Sequence, residues 1–222
     1  MEREPAARPT LTFREAVARL ATLPVPLPQG PPELIPTVLS TGERPPRPSR
    51  DAQQLRPASV LVLVFPAGDG EARVVLTERV DRGGHHSGEV SFPGGKAEPE
   101  DADVVATAIR EATEEVGLDP AACGLTVLGV LEPFWIPISG FNVTPVVAVA
   151  ERKPELFPAE AEVARILEPP LTAFLPGAPL DVVERTIRGW SVRYSAYPIE
   201  GLSVWGATAR ILGQLGAILA RD

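Results

Sequence analysis

Cysteine and histidine are almost absent from this chain, whose 222 residues include one cysteine, Cys123, and two histidines, His85 and His86. A disulfide within the chain is therefore excluded, and a tetrahedral zinc site built from cysteine and histidine ligands is not expected. We expect Cys123 to be a small buried residue or part of a turn. The lack of a disulfide framework favours the reducing cytoplasm.

Positive charge and long apolar runs are scarce as well. The formal net charge is −8 and the pI is about 5.0, which argues against general affinity for nucleic acid or for an anionic membrane. The N-terminus has no apolar signal core, and no run approaches the roughly 18 apolar residues of a membrane span. We therefore expect a soluble, cytoplasmic protein. Arginine greatly outnumbers lysine, and alanine, proline and glycine are abundant, which is typical of a GC-rich bacterial genome.

The order of apolar and turn-forming residues predicts a helix and a proline-rich arm ahead of one larger domain. Residues 10–23 are predicted to form a short amphipathic helix. Residues 24–48 are crowded with proline, which disfavours regular structure. We assign residues 1–56 to this helix and arm and residues 57–222 to the main domain. The arm either drapes over the surface of this domain or packs on a second subunit.

In the main domain, strands and helices follow one another without regular alternation, which predicts a mixed sheet with helices on its faces. A glycine-containing turn between two β-branched runs predicts a hairpin. The strands are predicted at residues 60–65, 74–77, 125–130, 143–149 and 190–197, the helices at 103–116, 159–167 and 202–220, and a loop at 134–141.

The predicted helix at 103–116 is unusually acidic near its end. At about 100° per residue, Glu111, Glu114 and Glu115 converge on roughly a quarter of the helix circumference. Like charges at these spacings repel, and the helix dipole disfavours them in the last turns before Gly117. A solvated acidic face is the alternative, but a hard cation such as Mg²⁺ would turn these penalties into affinity. We therefore predict a metal site, with Arg110 placed to pair with Glu114 and orient it.

Two glycines, Gly94 and Gly95, enter the loop before this helix. Glycine allows the backbone to approach a phosphate closely, or to offer a carbonyl to a metal. A Gly-Gly pair alone usually marks a turn, and only its combination with the acidic helix makes it specific.

The run from Gly95 to Leu118 resembles the Nudix box, G-x5-E-x7-R-E-U-x-E-E-x-G-U. Its second half agrees position for position, with Ala112 as a small version of the apolar residue U. In the first half Asp101 falls where the box has Glu, and eight residues rather than seven separate it from Arg110. A one-residue insertion explains this spacing. Asp101 stands either in the place of that Glu or as the N-cap of the helix.

A second resemblance is to the signature that precedes the box in coenzyme A pyrophosphatases, L-L-T-x-R-S-x3-R-x-H-x-G-x-V-x-F-P-G-G. Residues 76–79 and 86–95 match it. Its second Arg is replaced by Gly84, although Arg82 is close by. Val75 and Val80 replace its first leucine and its serine. Residues 140–145 and 201–206 also look like this subfamily, so that the resemblance covers about residues 57–215.

The resemblance implies a Nudix-type α/β/α sandwich around a mixed β-sheet and a requirement for Mg²⁺ or Mn²⁺. The subfamily cleaves coenzyme A into 3′,5′-ADP and 4′-phosphopantetheine. In such a reaction a water, activated by metal and a carboxylate, attacks one phosphorus in line. Matching to the box makes Glu111 and Glu115 the main metal ligands and Glu114 a further ligand or a base. Gly95 would add its carbonyl, and Arg110 would orient the site.

Residues outside the box complete the predicted site. Glu162 is a candidate general base. Arg79 and Arg82 are candidates to hold the substrate's phosphates, including a 3′-phosphate, although Arg82 is equally explained as a surface residue. His86 either contacts substrate or fixes its loop by a hydrogen bond. The aromatic segment 134–137 either lines a pocket for pantetheine or adenine or packs in the core.

Two alternative functions stay open at this point. One is a Nudix hydrolase of ADP-ribose or another nucleoside-diphosphate derivative, which the Gly84 departure favours. The other is an inactive Nudix domain that binds nucleotides or regulates, against which the intact R-E-x-x-E-E core argues. A homodimer is expected by analogy only.

Overall fold

The computed structural model of this chain describes residues 10–46, 55–80, 89–136, 139–187 and 189–221. No helix in these ranges is long and apolar enough to cross a membrane. The helices are α1 (Phe13–Leu20), α2 (Val104–Val116), α3 (Pro120–Cys123) and α4 (Gly206–Leu219), and short 3-10 turns span Pro32–Leu34 and Leu171–Phe174. The strands are β1 (Thr37–Val38), β2 (Arg56–Pro66), β3 (Ala72–Val74), β4 (Leu76–Arg79), β5 (Val90–Ser91), β6 (Gly94–Lys96), β7 (Leu125–Val130), β8 (Phe134–Ile136), β9 (Phe141–Ala150), β10 (Val163–Leu167), β11 (Asp181–Ile187), β12 (Trp190–Ile199) and β13 (Leu202–Val204).

The central sheet is mixed, and β2 and β9 lie in its middle. These two strands are parallel, with Arg56 opposite Phe141 and Val64 opposite Val149. The order is β3-β2-β9-β7, with β6 added beside β2 and β8 beside β9. The four outer strands β3, β6, β7 and β8 are each antiparallel to the strand with which they pair. A strand that is covered on both faces is expected to be apolar nearly throughout, as residues 60–65 are.

The two faces of this sheet carry separate cores because successive side chains of a strand point to opposite sides. On one face, Leu61, Leu63 and Phe65 pack with Ala108, Ala112 and Val116 of α2. On the other, Val62 and Val64 belong to the core that α1 and α4 cover. The predicted α/β/α sandwich is therefore confirmed.

Two smaller sheets flank the central one. Strands β10, β4 and β5 form an antiparallel sheet in that order. The other has the order β1-β12-β11, with β13 beside β12. In this sheet β1 comes from the proline-rich arm, and Thr37 and Val38 lie opposite Arg193 and Val192. The prediction that residues 24–48 lack regular structure is wrong here, because two β-branched residues without prolines suffice for a short strand. The arm thus packs on its own domain.

The helix predicted at 159–167 is wrong, since this segment ends in strand β10, which pairs antiparallel with β4. Apolar residues at 163, 166 and 167 fit the spacing of a helix as well as a short strand, so the pattern alone is ambiguous. The partner strand decides the outcome, because Leu167 lies opposite Leu76 and both are buried.

Three other differences from the predicted elements depend on pairing between strands. Part of the predicted loop at 134–141 is strand β8, paired with β9. The closing helix begins at Gly206 rather than at residue 202, because β13 pairs with β12 first. Strand β11 was not predicted, since five of its seven residues are exposed and carry no core pattern.

Helix α2 begins and ends as its sequence predicts. The Asp103 carboxylate accepts hydrogen bonds from the backbone N–H groups of Val105 and Ala106, both at 2.8 Å. Gly117 ends the helix with a left-handed backbone, at φ 64°. Asp103 is therefore the N-cap, and the alternative that Asp101 serves as N-cap is wrong.

We predict that Gly216→Ala destabilises the protein, although helix propensity alone favours alanine by about 1 kcal/mol. Gly216 lies in α4, where the helix packs on the 3-10 turn at Leu171–Phe174. An added Cβ would overlap the carbonyl oxygen of Phe174 and lie 2.7 Å from its carbonyl carbon. We expect urea titration to show a loss of about 1–3 kcal/mol.

The matched control is Gly68→Ala, whose added Cβ meets no atom within 4 Å. It should change the free energy of unfolding by no more than about 0.5 kcal/mol. A stabilised Gly216→Ala protein would contradict the close packing of α4 on that turn.

Candidate metal and phosphate site

A cavity of about 610 Å³ opens beside α2, between the central sheet and the two smaller sheets. Its volume lies within the roughly 300–1,000 Å³ typical of small-molecule sites. One end is acidic and is lined by Glu111, Glu115, Glu162 and Glu89, with Arg79 among them. Much of the remaining wall is aromatic or aliphatic.

At the acidic end, two adjacent glycines meet two carboxylates of α2. The backbone N–H of Gly94 donates a hydrogen bond of 2.9 Å to Oε2 of Glu115. A Cβ added to Gly95 would lie only 2.5 Å from Oε2 of Glu111. Glu111 and Glu115 are four residues apart and so share one helix face. The glycines therefore let the two carboxylates lie directly against the backbone of β6.

Gly94 is required for a second reason. Its φ of 154° is a conformation that favours glycine, and a Cβ there would lie 2.5 Å from Cα of Val60 and overlap the carbonyl oxygen of Ser59. These are the residues that β6 faces on β2, with Val60 opposite Gly94 and Ser59 opposite Gly95. The pair of glycines thus fixes both the sheet edge and the approach of the helix.

Glu115 is almost fully buried, since only 4% of the residue is exposed. Burial raises the pKa of Glu115 to about 7, although the hydrogen bond from Gly94 and the charge of Arg79 lower it. Nη1 of Arg79 lies 3.6 Å from Oε1 of Glu115. The charges of Glu111 and Glu162 raise the pKa further. An added cation at this point would stabilise the ionised form.

Glu111 shares this environment. Its side chain is 16% exposed, and burial raises the pKa of its carboxyl against the opposing effect of Arg110. The charges of Glu114 and Glu162 also raise it. Nη1 of Arg110 donates to Oε1 of Glu111 at 3.1 Å. One oxygen of Glu111 is therefore held by Arg110.

Arg110 is the centre of a hydrogen-bond network behind the site. Its Nε and Nη2 donate to the two oxygens of Asp101 at 2.9 and 3.0 Å, and Nη2 also donates to the carbonyl of Lys96 at 3.0 Å. The guanidinium holds the pKa of Asp101 well below its usual range. Asp101 also accepts a hydrogen bond from Oγ1 of Thr107 at 2.9 Å. Asp101 therefore anchors Arg110. Neither of the two roles predicted for Asp101 from the sequence included this pairing.

Glu114 is placed differently from the other two acidic residues of the box. Its side chain is 59% exposed, and its Oε2 accepts a hydrogen bond of 3.1 Å from Nη1 of Arg110. The pairing with Arg110 matches the sequence-based prediction, and Nη1 of Arg110 also donates to Glu111, so that these two carboxylates lie close together. Glu114 turns outward and does not line the cavity.

The donor set that remains fits a hard divalent cation. Within the described ranges, no group of three acidic, histidine or cysteine side chains is arranged to hold a metal by itself. Mg²⁺ does not require one, since it commonly uses one or two carboxylates and completes its shell with water and substrate phosphate. Glu111 and Glu115 supply two such carboxylates at the wall of the cavity, beside the backbone of Gly95.

Glu162 reaches the same cavity from another part of the chain. It lies in the turn before β10, and its carbonyl accepts a hydrogen bond of 3.0 Å from the backbone N–H of Val80. Since β10 pairs with β4, this pairing carries Glu162 toward the acidic end. Its electrostatic effect on Glu111 and Glu115 follows from that placement.

Other predicted residues divide into those the structure describes and those it does not. Arg82 and His86, like Gly84, lie outside the described residues. Phe134, Trp135 and Ile136 line the cavity, in agreement with the pocket interpretation of this segment. Sequence reasoning missed the contribution of Glu89, of the arm and of β12, because no local motif marks them.

The chain is similar to several known proteins. The sequence profile of the NUDIX domain matches residues 55–179. The chain is 40% identical over 169 residues to the uncharacterized Nudix hydrolase NudL of Pectobacterium atrosepticum, an alignment that covers 75% of this chain and 84% of that protein. It is 38% identical over 172 residues to the mitochondrial Nudix hydrolase 15 of Arabidopsis thaliana, covering 74% of this chain and 59% of that protein. The chain thus spans little more than half the length of the plant relatives it matches. A solved structure of the M. smegmatis Nudix hydrolase RenU is similar with a TM-score of 0.44 and 27% identity, over 53% of this chain and 72% of that chain.

We predict that Glu115→Gln changes how the stability of the metal-free protein depends on pH. In the folded protein the pKa of Glu115 is about 7, whereas an ordinary glutamate titrates near about 4.3. The folded chain therefore holds an extra proton between these values, and its free energy of unfolding falls by about 3 kcal/mol as the pH rises through them. The amide of Gln does not titrate, so the variant lacks this fall.

Urea titrations in EDTA at about pH 4.5 and about pH 8 measure the effect. The free energy of unfolding of Glu115→Gln, relative to that of the wild type, should therefore be higher at about pH 8 than at about pH 4.5. Glu160→Gln is the matched control, because Glu160 is exposed and does not line the cavity, and this variant should show no such gain. An unchanged difference between wild type and Glu115→Gln at both pH values would refute the burial argument.

Proposed function

Because the chain belongs to the Nudix hydrolase family, we propose that it cleaves the pyrophosphate bond of a nucleoside-diphosphate derivative with Mg²⁺ or Mn²⁺, and that this substrate is coenzyme A. One observation carries the proposal. Two carboxylates of one helix, Glu111 and Glu115, lie against the Gly94-Gly95 backbone at the acidic end of a nucleotide-sized cavity.

Glu111 and Glu115 would hold the cation, with the carbonyl of Gly95 as a further ligand and Glu114 only after a rotation away from Arg110. The bound cation would neutralise charge that develops on the phosphoryl oxygens and on the leaving phosphate. Arg110 keeps one oxygen of Glu111 in place, and the N–H of Gly94 fixes one oxygen of Glu115. The second oxygen of each carboxylate would then face the cation, with Arg79 beside that of Glu115.

Arg79 and Glu162 would serve the substrate side of the site. Arg79 lines the cavity and lies 3.6 Å from Glu115, so its guanidinium can bind a phosphate oxygen next to the metal ligands. Glu162 lines the same cavity, whereas Glu114 does not. We therefore propose Glu162 as the base that accepts the proton of the attacking water, while the bond between phosphorus and the leaving phosphate oxygen breaks in line.

Coenzyme A as the substrate rests on the resemblance of residues 76–79, 86–95, 140–145 and 201–206 to coenzyme A pyrophosphatases. The size of the cavity and its aromatic wall are compatible with a nucleotide joined to an apolar arm. The products would be 3′,5′-ADP and 4′-phosphopantetheine. ADP-ribose or another nucleoside-diphosphate derivative is the alternative substrate class, and an inactive nucleotide-binding domain is the alternative function. The domain limits 57–222, the cytoplasmic location and the homodimer also stay predictions.

The decisive assay incubates purified protein with coenzyme A and Mg²⁺ or Mn²⁺ and separates the products by chromatography. We expect 3′,5′-ADP and 4′-phosphopantetheine from the wild type, and a rate at least about 100-fold lower from Glu115→Gln, since even second-shell losses cost about 10–100-fold. Cleavage of ADP-ribose or a dinucleotide but not of coenzyme A would replace the substrate. Inactivity toward every pyrophosphate tested would favour the binding domain.

We further predict that Glu162→Gln lowers kcat by about 10²-fold or more with little change in KM, because a general base contributes about 10²–10⁴-fold to the chemical step. Glu160→Gln is the matched control, since Glu160 is exposed two residues away and does not line the cavity. Equal kcat values for the Glu162→Gln and Glu160→Gln variants would place the base elsewhere.

A further inference from the structure

About half of the apolar residues that line the cavity lie outside residues 55–179, the range that the family profile covers. The arm contributes Arg44 with Pro45 and Pro46. The β11–β12 hairpin contributes Ile187 and Trp190. These two segments therefore help to determine which part of a substrate fits in the cavity beyond the pyrophosphate.

Hydrogen bonds tie the arm to the hairpin next to Trp190. The backbone N–H of Leu39 donates to the carbonyl of Ser191 at 2.9 Å. A turn follows, in which the N–H of Val38 donates to the carbonyl of Glu43 at 2.8 Å. Arg44 comes directly after that turn. The pairing of β1 with β12 thus holds the arm against the hairpin, and both Arg44 and Trp190 line the cavity.

The aromatic rings of the cavity differ in how much of their faces is free. Phe134 is covered by the guanidinium of Arg210 at 4.8 Å, and Phe141 by that of Arg56 at 4.1 Å. The Trp205 ring stacks on Tyr194 at 5.2 Å and has the Arg185 guanidinium at 4.9 Å.

Trp135 and Trp190 also line the cavity, and Trp190 is the more exposed of the two. It is 43% exposed and has no ring or cation contact among the described residues. A planar group in the cavity would therefore stack on Trp190.

Arg44 supplies a positive charge at this wall. It is exposed, lines the cavity, and forms no ion pair with any of the described acidic side chains. In a chain of net charge −8, such a guanidinium is suited to a phosphate, which it can bind through two parallel hydrogen bonds. An aromatic platform beside a free arginine matches a nucleobase that carries a second anionic group near it.

We propose that the arm and the β11–β12 hairpin form a recognition subsite in which Trp190 stacks on the base and Arg44 binds a phosphate remote from the scissile bond. This inference rests on the proposed function, and in coenzyme A that group is the 3′-phosphate. The other half of coenzyme A has no second anion, so the nucleotide half occupies this wall.

The test measures binding of 3′,5′-ADP and of 5′-AMP to the full chain by calorimetry, which requires no turnover. The wild type should bind 3′,5′-ADP about tenfold more tightly than 5′-AMP, as a charge-assisted contact implies. Arg44→Gln should abolish this preference by weakening 3′,5′-ADP alone. The control Arg14→Gln, at an exposed position of α1, should keep it.

Trp190→Ala should weaken both ligands about equally, by about fivefold or more, and Trp190→Phe should restore most of the loss because stacking needs only a ring. Equal affinity of the wild type for the two ligands would overturn the proposal, as would an equal effect of Arg44→Gln on both. A preference that depends on Arg44 in a protein that does not cleave coenzyme A would reject the proposed substrate and retain the subsite. Cleavage of coenzyme A by a protein without that preference would retain the proposed substrate and reject the subsite.

Discussion

The contact of α2 with the backbone of β6 is the constraint on which the site depends. Two carboxylates on the inner side of the helix touch a Gly-Gly pair, and neither glycine position has room for a Cβ. The glycines are fixed by β2, which is itself fixed by β9 in the middle of the sheet. Packing of the sheet thus sets the position of the acidic residues, and loop conformation has little freedom to change it.

The electrostatics follow from this packing. Burying Glu115 and Glu111 raises the pKa of both, so that the fold holds two carboxylates in a place that favours neither of them without a cation. The Asp101–Arg110 pair has the opposite character, because each charge is satisfied by the other through two hydrogen bonds. The Asp101–Arg110 pair is therefore a rigid support, whereas the carboxylates of Glu111 and Glu115 are suited to bind an added cation.

The order of apolar segments predicted a mixed sheet with helices, and the resemblance to the Nudix box implied the sandwich. The acidic helix was encoded locally, by its apolar stripe and by the cap at Gly117. The sequence could not predict that Glu111 lines the cavity while Glu114 stays exposed outside it, because Arg110 binds both carboxylates and the walls of the cavity come from distant strands. The strand at Val163–Leu167 depends on β4, a partner strand distant in the chain. Strand β11 pairs with its neighbour β12, but its exposed side chains give no core pattern that would reveal it. The walls of the cavity also depend on distant pairing, because β1 of the arm pairs with β12 and both segments contribute lining residues.

The parallel ladder between β2 and β9 has a consequence for the order of folding. It joins residues 85 positions apart, Arg56 with Phe141 and Val64 with Val149, and α2 lies within the connection. Such a ladder has a high contact order, and its loop must close before the pairing stabilises it. The two carboxylates therefore acquire their buried setting only once most of the domain has been made and paired. A divalent ion held by these carboxylates would therefore bind the native state selectively and stabilise it by mass action, rather than act as a nucleus around which the chain folds.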